Sequence, residues 1–229
     1  MEFYSQRSVE AILNYRSTRM SRVLVNIRGC NGAGKSTIPL SMLDDPKLSE
    51  SYIYSSDAKR IATITVFPTY GWVALGKYSN NCGGLDTIKS IDIVKRALQY
   101  ALISFPKYDV IMEGILCSTT YSSYADMFHW VEEKYSVQPI ILSLMPPVEV
   151  CLSRIQERNG GKPIKENLVA DKWGMVYRSH QKFKAAGFTT VRVNTERISK
   201  DKMKTAFFKT IEKYRRNYDQ TRDSQKLVQ

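Results

Sequence analysis

A chain of 229 residues with 43% hydrophobic and 24% charged side chains has enough apolar material for one folded domain and is not a disordered polyelectrolyte. Four scattered cysteines without a Cys-x-x-Cys pair, and only two histidines, argue against a structural zinc site, and the thiols are expected to be reduced. The net charge of +12 is uneven: residues 31–150 carry −2 whereas 151–190 carry +5 and 191–229 carry +6, which favours a polyanionic partner over a merely solvated basic face.

In chain order, residues 9–20 read as a helix and 22–28, with Val23-Leu24-Val25 and Ile27, as a strand. Directly after it stands Gly29-Cys30-Asn31-Gly32-Ala33-Gly34-Lys35-Ser36-Thr37, a G-x-x-x-x-G-K-S motif in the strand–loop–helix setting that a phosphate-binding loop requires. Gly29, Gly32 and Gly34 let the backbone curl so that N–H groups point inward, Asn31 and Ala33 complete the loop, and the following helix is expected to add its positive end. Lys35 would reach the β- and γ-phosphates of ATP, Ser36 would ligate Mg²⁺, and Thr37 would stand beside the α-phosphate.

Further β-rich runs at 52–54, 110–112, 139–144 and 189–193 are separated by helix-length stretches. They predict an α/β fold, a P-loop three-layer sandwich with a mostly parallel sheet, flanking helices and an Arg-bearing lid, as a single domain over 1–229. Apolar stripes at Ile91, Val94, Leu98, Ala101, Leu102 and Phe105, and at Met203, Phe207, Ile211 and Tyr214, mark helix faces turned to the core. Residues 218–229 are polar and read as a flexible tail. No apolar run is long enough to span a bilayer and the N-terminus has no signal pattern, so a cytoplasmic location is expected.

Asp57, following the second apparent strand, falls at what reads as the carboxyl edge of the sheet, with Arg60 one helical turn further on. Asp57 is the candidate general base and Arg60 the holder of an acceptor phosphate; the plainer alternative is that Asp57 caps a helix. Residues 66–90, punctuated by Pro68, Gly71, Gly76, Gly83 and Gly84, read as an insertion beside the acceptor. Glu113, ending the strand at 110–112, is placed to hold a Mg²⁺-bound water or an acceptor hydroxyl. Arg154 and Arg158 share one helix face ahead of Gly160-Gly161 and form a candidate lid over 154–165, Arg158 neutralising the transferring phosphoryl group and Arg154 the nucleotide. Pairing with Glu149 or Glu157 is the alternative. There is no Asn-Lys-x-Asp guanine-reading motif, and Glu113-Gly114 replaces the acidic pair of many ATPase motors, so a kinase is favoured.

The set Gly29-x-x-x-x-Gly34-Lys35-Ser36-Thr37, Asp57-x-x-Arg60 and Arg154-x-x-x-Arg158 resembles, over residues 23–183, the kinase domain of bacteriophage polynucleotide kinase. That resemblance implies that Asp57 activates the acceptor hydroxyl, Arg60 binds an acceptor phosphate and Arg158 stabilises the transition state. No phosphatase domain follows, and the insertion is extra. The insertion itself, Val73-Ala74-Leu75-Gly76-Lys77-Tyr78 and Asn81-Cys82-Gly83-Gly84-Leu85-Asp86-Thr87-Ile88, together with Glu113-Gly114, is similar to phage P-loop kinases that phosphorylate 5-hydroxymethyluracil within DNA during thymidine hypermodification. The implied partner is DNA containing a modified pyrimidine. Tyr70, Trp72 or Tyr78 would stack on the base and Lys77 would touch its backbone phosphate, or the aromatics pack a small core of their own. Asp86 either reads the base edge or holds the Gly83-Gly84 turn. Competing readings are a thymidylate-like nucleotide kinase, a polynucleotide 5′-hydroxyl kinase and a non-catalytic, ATP-gated nucleic-acid-binding module.

Overall fold

The segment Val-Leu-Val-Asn-Ile-Arg forms β1 (Val23–Arg28) with all six residues buried, the pattern of a central strand covered on both faces. The computed structural model describes residues 21–78, 83–162 and 164–226, with side chains as far as 215. The helix expected at 9–20, and Asn81 and Cys82 of the insertion, lie outside the described residues.

Around β1 the chain builds a seven-stranded sheet of order β2-β3-β4-β5-β1-β6-β7. Its parallel part comprises β4 (Trp72–Leu75), β5 (Asp109–Glu113), β1, β6 (Gln138–Leu144) and β7 (Thr189–Val193). An antiparallel meander, β2 (Ser49–Tyr54) and β3 (Arg60–Phe67), extends the β4 edge. One face of the sheet is covered by α2 (Ile91–Ser104) and α4 (Ser122–Tyr135), whose Val94, Leu98 and Phe128 pack with Leu24, Val110 and Ile141. The other face carries α1 (Thr37–Leu40), α5 (Val148–Arg158) and α7 (Lys200–Lys226), whose Ile38, Ile155 and Phe207 pack with Val25, Ile111 and Leu142. Two further helices, α3 (Ile115–Thr119) and α6 (Glu166–Ala185), close the carboxyl end. The three-layer α/β expectation is met. Among the described residues no helix is long and apolar enough to cross a membrane.

Four expectations need correction. Residues 60–67 and 72–75 are sheet strands, and β4 is fully buried between β3 and β5, so 66–90 contains a core strand and is not an added loop. Because β2 pairs antiparallel with β3, Asp57 and Arg60 occupy a hairpin turn and the start of a strand instead of one helix face. Trp72 is fully buried against Phe207 (ring centroids 5.3 Å apart), and Tyr70 stacks on Phe208 and bonds Asp44 and Lys204, so neither is available to a base. Finally, the polar segment after Tyr218 stays helical as far as Lys226.

The C-terminal helix is fastened to the sheet by a buried ion pair between Arg215 and Asp109. The other Asp109 oxygen accepts a hydrogen bond from Val23 N at 3.0 Å, so the pair ties α7 to the starts of both β5 and β1. Removing one member of a buried pair leaves a poorly compensated charge in low dielectric. Arg215→Ala is therefore expected to lower unfolding free energy by about 3 kcal/mol in a denaturant titration.

Candidate active site

The phosphate loop leaves β1 at Gly29 and is braced from three sides. Gly29 N donates to Ser118 Oγ (3.2 Å), Arg154 Nη1 to Gly32 O (3.4 Å), and Thr195 Oγ1 to Ala33 O (3.1 Å). Gly32, at φ +79°, passes so close to α5 that a Cβ would come within 2.4 Å of the Cys151 carbonyl. Next to this contact Cys30 Sγ lies 3.3 Å from Cys151 Sγ. Among the described residues the N–H groups of Asn31, Gly32, Gly34, Lys35 and Ser36 make no hydrogen bond, and Lys35 Nζ, nearly buried, donates to Cys30 O at 3.1 Å. A curled run of free donors around a lysine suits an anion of phosphate type. The helix behind it is shorter than expected: Pro39 removes a donor and α1 ends at Leu40, so the loop amides contribute more than any helix dipole.

One strand away, β5 places Glu113 beside β1 in register with Ile27. Glu113 is fully buried, and its Oε1 accepts from Ser36 Oγ at 3.1 Å. Its Oε2 and the buried Tyr78 hydroxyl have no partner in hydrogen-bonding geometry among the described residues, although the two groups are close enough to interact. Burial pushes the Glu113 carboxyl up to about 7, with Lys35 opposing and Asp86 reinforcing the rise. Gly84 makes this crowding possible. It has φ +65°, and a Cβ there would meet Glu113 O at 2.4 Å, Glu113 Oε1 at 2.5 Å and Tyr78 Oη at 2.9 Å. The Ser36 hydroxyl, the unpaired Glu113 oxygen and Lys35 together are the donor set a magnesium–triphosphate would need.

Beyond Gly84 the chain makes a 3₁₀ turn (Leu85–Thr87) that brings Asp86 near enough to Glu113 for the two carboxyl groups to interact. Asp86 Oδ1 accepts from Ile115 N at 2.9 Å, which joins the segment after β4 to the start of α3, and the residue is exposed. Lys77 bridges to Gly84 through the backbone and is half-buried, while Tyr78 is sealed into the core. The site thus gathers the phosphate loop, Thr37, Glu113, Tyr78, Asp86 and Lys77.

Asp57 is not among them. Its turn opens on the same edge of the sheet, but β2 is four strands from β1, about 19 Å at the usual strand spacing. Asp57 is paired with Lys59 at 2.9 Å and hydrogen-bonded by Ser55, contacts that hold its carboxyl below the ordinary range. Arg60 lies over the Tyr52 ring on the same hairpin. Arg154 is committed to Thr195 (Nη2 to O, 2.7 Å) and Gly32, so it acts as a strut on the loop, whereas Arg158 ends α5 in solvent before the open Gly160-Gly161 turn.

Several site residues were not foreseen. Arg28 is a fully buried guanidinium that donates to Asn26 Oδ1 (2.8 Å), Ser118 O (2.7 Å), Thr120 O (2.9 Å) and Ser179 Oγ (2.6 Å), and it lies 4.7 Å from the Phe183 ring. Desolvation lowers it to about 10, so it stays protonated at neutral pH. An Arg closing an apolar strand immediately before the loop was the available signal for it. Thr195 stands just beyond β7 at the carboxyl edge, where α/β ligands bind, and that position was its signal.

A sheet with parallel order β4-β5-β1-β6-β7, a phosphate loop after β1 and a carboxylate on the loop serine are an α/β arrangement consistent with a P-loop kinase. A family model described as 5-hmdU DNA kinase matches residues 12–207. Similar proteins are a 5-hmdU DNA kinase of Bacillus phage SP10, 41% identical over 198 residues, and one of Pseudomonas phage M6, 36% identical over 182 residues. A third, 5-hmdU DNA kinase 1 of Salmonella phage ViI, is 34% identical over 173 residues. These alignments cover 84%, 77% and 73% of this chain and 30%, 94% and 73% of the respective relatives, so the chain spans under a third of the SP10 protein. The chain belongs to the 5-hmdU DNA kinase family.

The raised Glu113 has a consequence for the protein free of metal and nucleotide. Below about pH 4.5 the carboxyl is protonated in both folded and unfolded chains and costs nothing; as pH climbs through about 7, stability is lost because the unfolded chain ionises more easily. The loss at full ionisation is on the order of 3 kcal/mol. Thermal melts without divalent cations are expected to show Glu113→Gln near wild type at pH 5 and more stable than wild type at pH 8.

Proposed function

We propose that this chain transfers the γ-phosphoryl group of ATP to the hydroxymethyl oxygen of 5-hydroxymethyluracil in DNA, in the host cytoplasm. The observation that carries the acceptor is the match of residues 12–207 to the 5-hmdU DNA kinase family, joined by the net charge of +12. On this reading the loop amides and Lys35 hold the β- and γ-phosphates, with Thr37 beside the α-phosphate. Magnesium, when bound, screens the phosphate oxygens, and the Ser36 hydroxyl with the unpaired Glu113 oxygen would hold it and its water.

Asp86 replaces Asp57 as the general base. What supports Asp86 is its place in the turn after β4, close enough to Glu113 to interact with it, whereas Asp57 follows β2, four strands from β1. One Asp86 oxygen is fixed by Ile115 N, which orients the carboxylate and leaves its second oxygen for the alcohol. The hydroxymethyl oxygen attacks the γ-phosphorus, the bond from that phosphorus to the β-phosphate bridging oxygen breaks, ADP departs, and the alcohol proton passes to Asp86. Arg158, exposed beside the Gly160-Gly161 turn, is the cation a closing lid would bring to the phosphoryl oxygens. Arg60 and Asp57 on their hairpin have no part in the reaction centre.

ADP release measured with three acceptors tests the reading. It is expected with 5-hydroxymethyluracil DNA and absent with the same sequence containing thymine; activity confined to free nucleoside monophosphates would overturn it. Asp86→Asn is expected to lower kcat about a hundredfold or more with ATP binding retained, since loss of a general base costs that much. Asp57→Asn is expected to remain within about twofold of wild type, because a solvent-exposed turn distant from the reacting atoms contributes little.

A further inference from the structure

The cleft is deep. Lys35 is 8% exposed and Glu113 fully buried, whereas a hydroxymethyl group projects from the edge of its base by little more than one carbon–oxygen unit. On the reading of DNA as acceptor, on which this inference rests, the nucleotide must leave the stack for its alcohol to reach the loop. A duplex that releases a base needs something to occupy the gap. None of the three aromatics expected for base stacking is available, since Tyr70 packs on Phe208, Trp72 on Phe207, and Tyr78 is buried.

Next to Ile115, whose N–H is held by Asp86, stands Leu116, 68% exposed and the most exposed large apolar side chain among the described residues. A single exposed leucine is ordinary on its own; its mounting is not. It stands on α3, a five-residue helix fixed at both ends. Asp86 holds the N–H of Ile115 at its start. At its end Arg28 holds the carbonyls of Ser118 and Thr120, while the Ser118 hydroxyl takes the N–H of Gly29. The same short helix is therefore bonded to the acceptor segment and to the phosphate loop, with Cys117 and Ser118 buried beneath it and Leu116 turned to solvent. Just beyond, Lys182 lies 6.0 Å from the Tyr121 ring and supplies positive charge for a backbone phosphate.

We infer that Leu116 is a wedge that enters duplex DNA and fills the space left by the extruded target nucleotide. An apolar side chain on a rigid mount compensates unstacking, which costs a few kcal/mol per step, and the mount sets its distance from the phosphate loop. Single-stranded DNA needs no such compensation, so the contribution is specific to the duplex.

The test compares single-turnover phosphorylation of one oligonucleotide with an internal 5-hydroxymethyluracil, alone and annealed, by wild type, Leu116→Ala and Leu116→Met. Leu116→Ala is expected to slow the duplex reaction about tenfold or more, to leave the single strand within about twofold, and to lose the fluorescence rise of a 2-aminopurine beside the target, with Leu116→Met restoring both. An equal fall on both substrates would mean that Leu116 touches the base within the pocket, and no fall on duplex would mean that it has no role; either overturns the wedge and leaves the kinase assignment standing. Wild-type activity confined to single strands also overturns it. Wild-type inactivity on both strands, with activity on free nucleotides, removes the function reading and the wedge together.

Discussion

The Glu113 carboxylate, buried between the Ser36 hydroxyl and the backbone of Gly84, is the contact around which this molecule is arranged. An ionisable group there is expensive, because burial opposes its charge and pushes it up to about 7. The arrangement is sustainable because Ser36 and Lys35 face it from the donor side, and because Gly84 lets the acceptor segment approach within a distance no Cβ would permit. The phosphate loop and the segment after β4 thus meet at one carboxylate, and the geometry of each constrains the other.

The second constraint is positional. Arg28 has no carboxylate partner among the described residues; it is held by one side-chain amide oxygen, two carbonyls, one hydroxyl and an aromatic ring. Those contacts connect β1, α3 and α6, and Ser118 continues the connection to Gly29. The short α1, cut by Pro39, offers little support from behind, so the loop relies on Ser118, Arg154 and Thr195. The arginine that sequence spacing suggested as a nucleotide ligand is, in the fold, part of that scaffold.

Much of the donor half was legible in the sequence because its signal is local. Gly29 to Ser36 is a contiguous motif after an apolar strand, and Glu113 ends the next apolar run. The acceptor half was not, because it depends on which strands pair. Residues 60–67 and 72–75 are bounded by Pro68 and Gly71 and carry threonines and aromatics that resemble a loop with its own packing. Without them β2 seemed to be the second parallel strand, which put Asp57 beside the phosphate loop, whereas β2 lies four strands from β1. Whether Trp72 and Tyr70 stack on a base or pack in a core stayed open for the same reason: their partners, Phe207 and Phe208, are over 130 residues away in the chain. Pairing over such separations leaves no trace in local periodicity.

The central claim is that a P-loop kinase of this family places its phosphate on a base inside DNA. The most direct measurement is the position of the phosphate: label duplex DNA bearing internal 5-hydroxymethyluracil with γ-labelled ATP, digest it to nucleosides under conditions that spare phosphomonoesters on bases, and determine the mass of the labelled product. A nucleoside carrying phosphate on its 5-hydroxymethyl group is the predicted result. Label recovered only on the terminal 5′-hydroxyl, or only in free nucleotides, would contradict it.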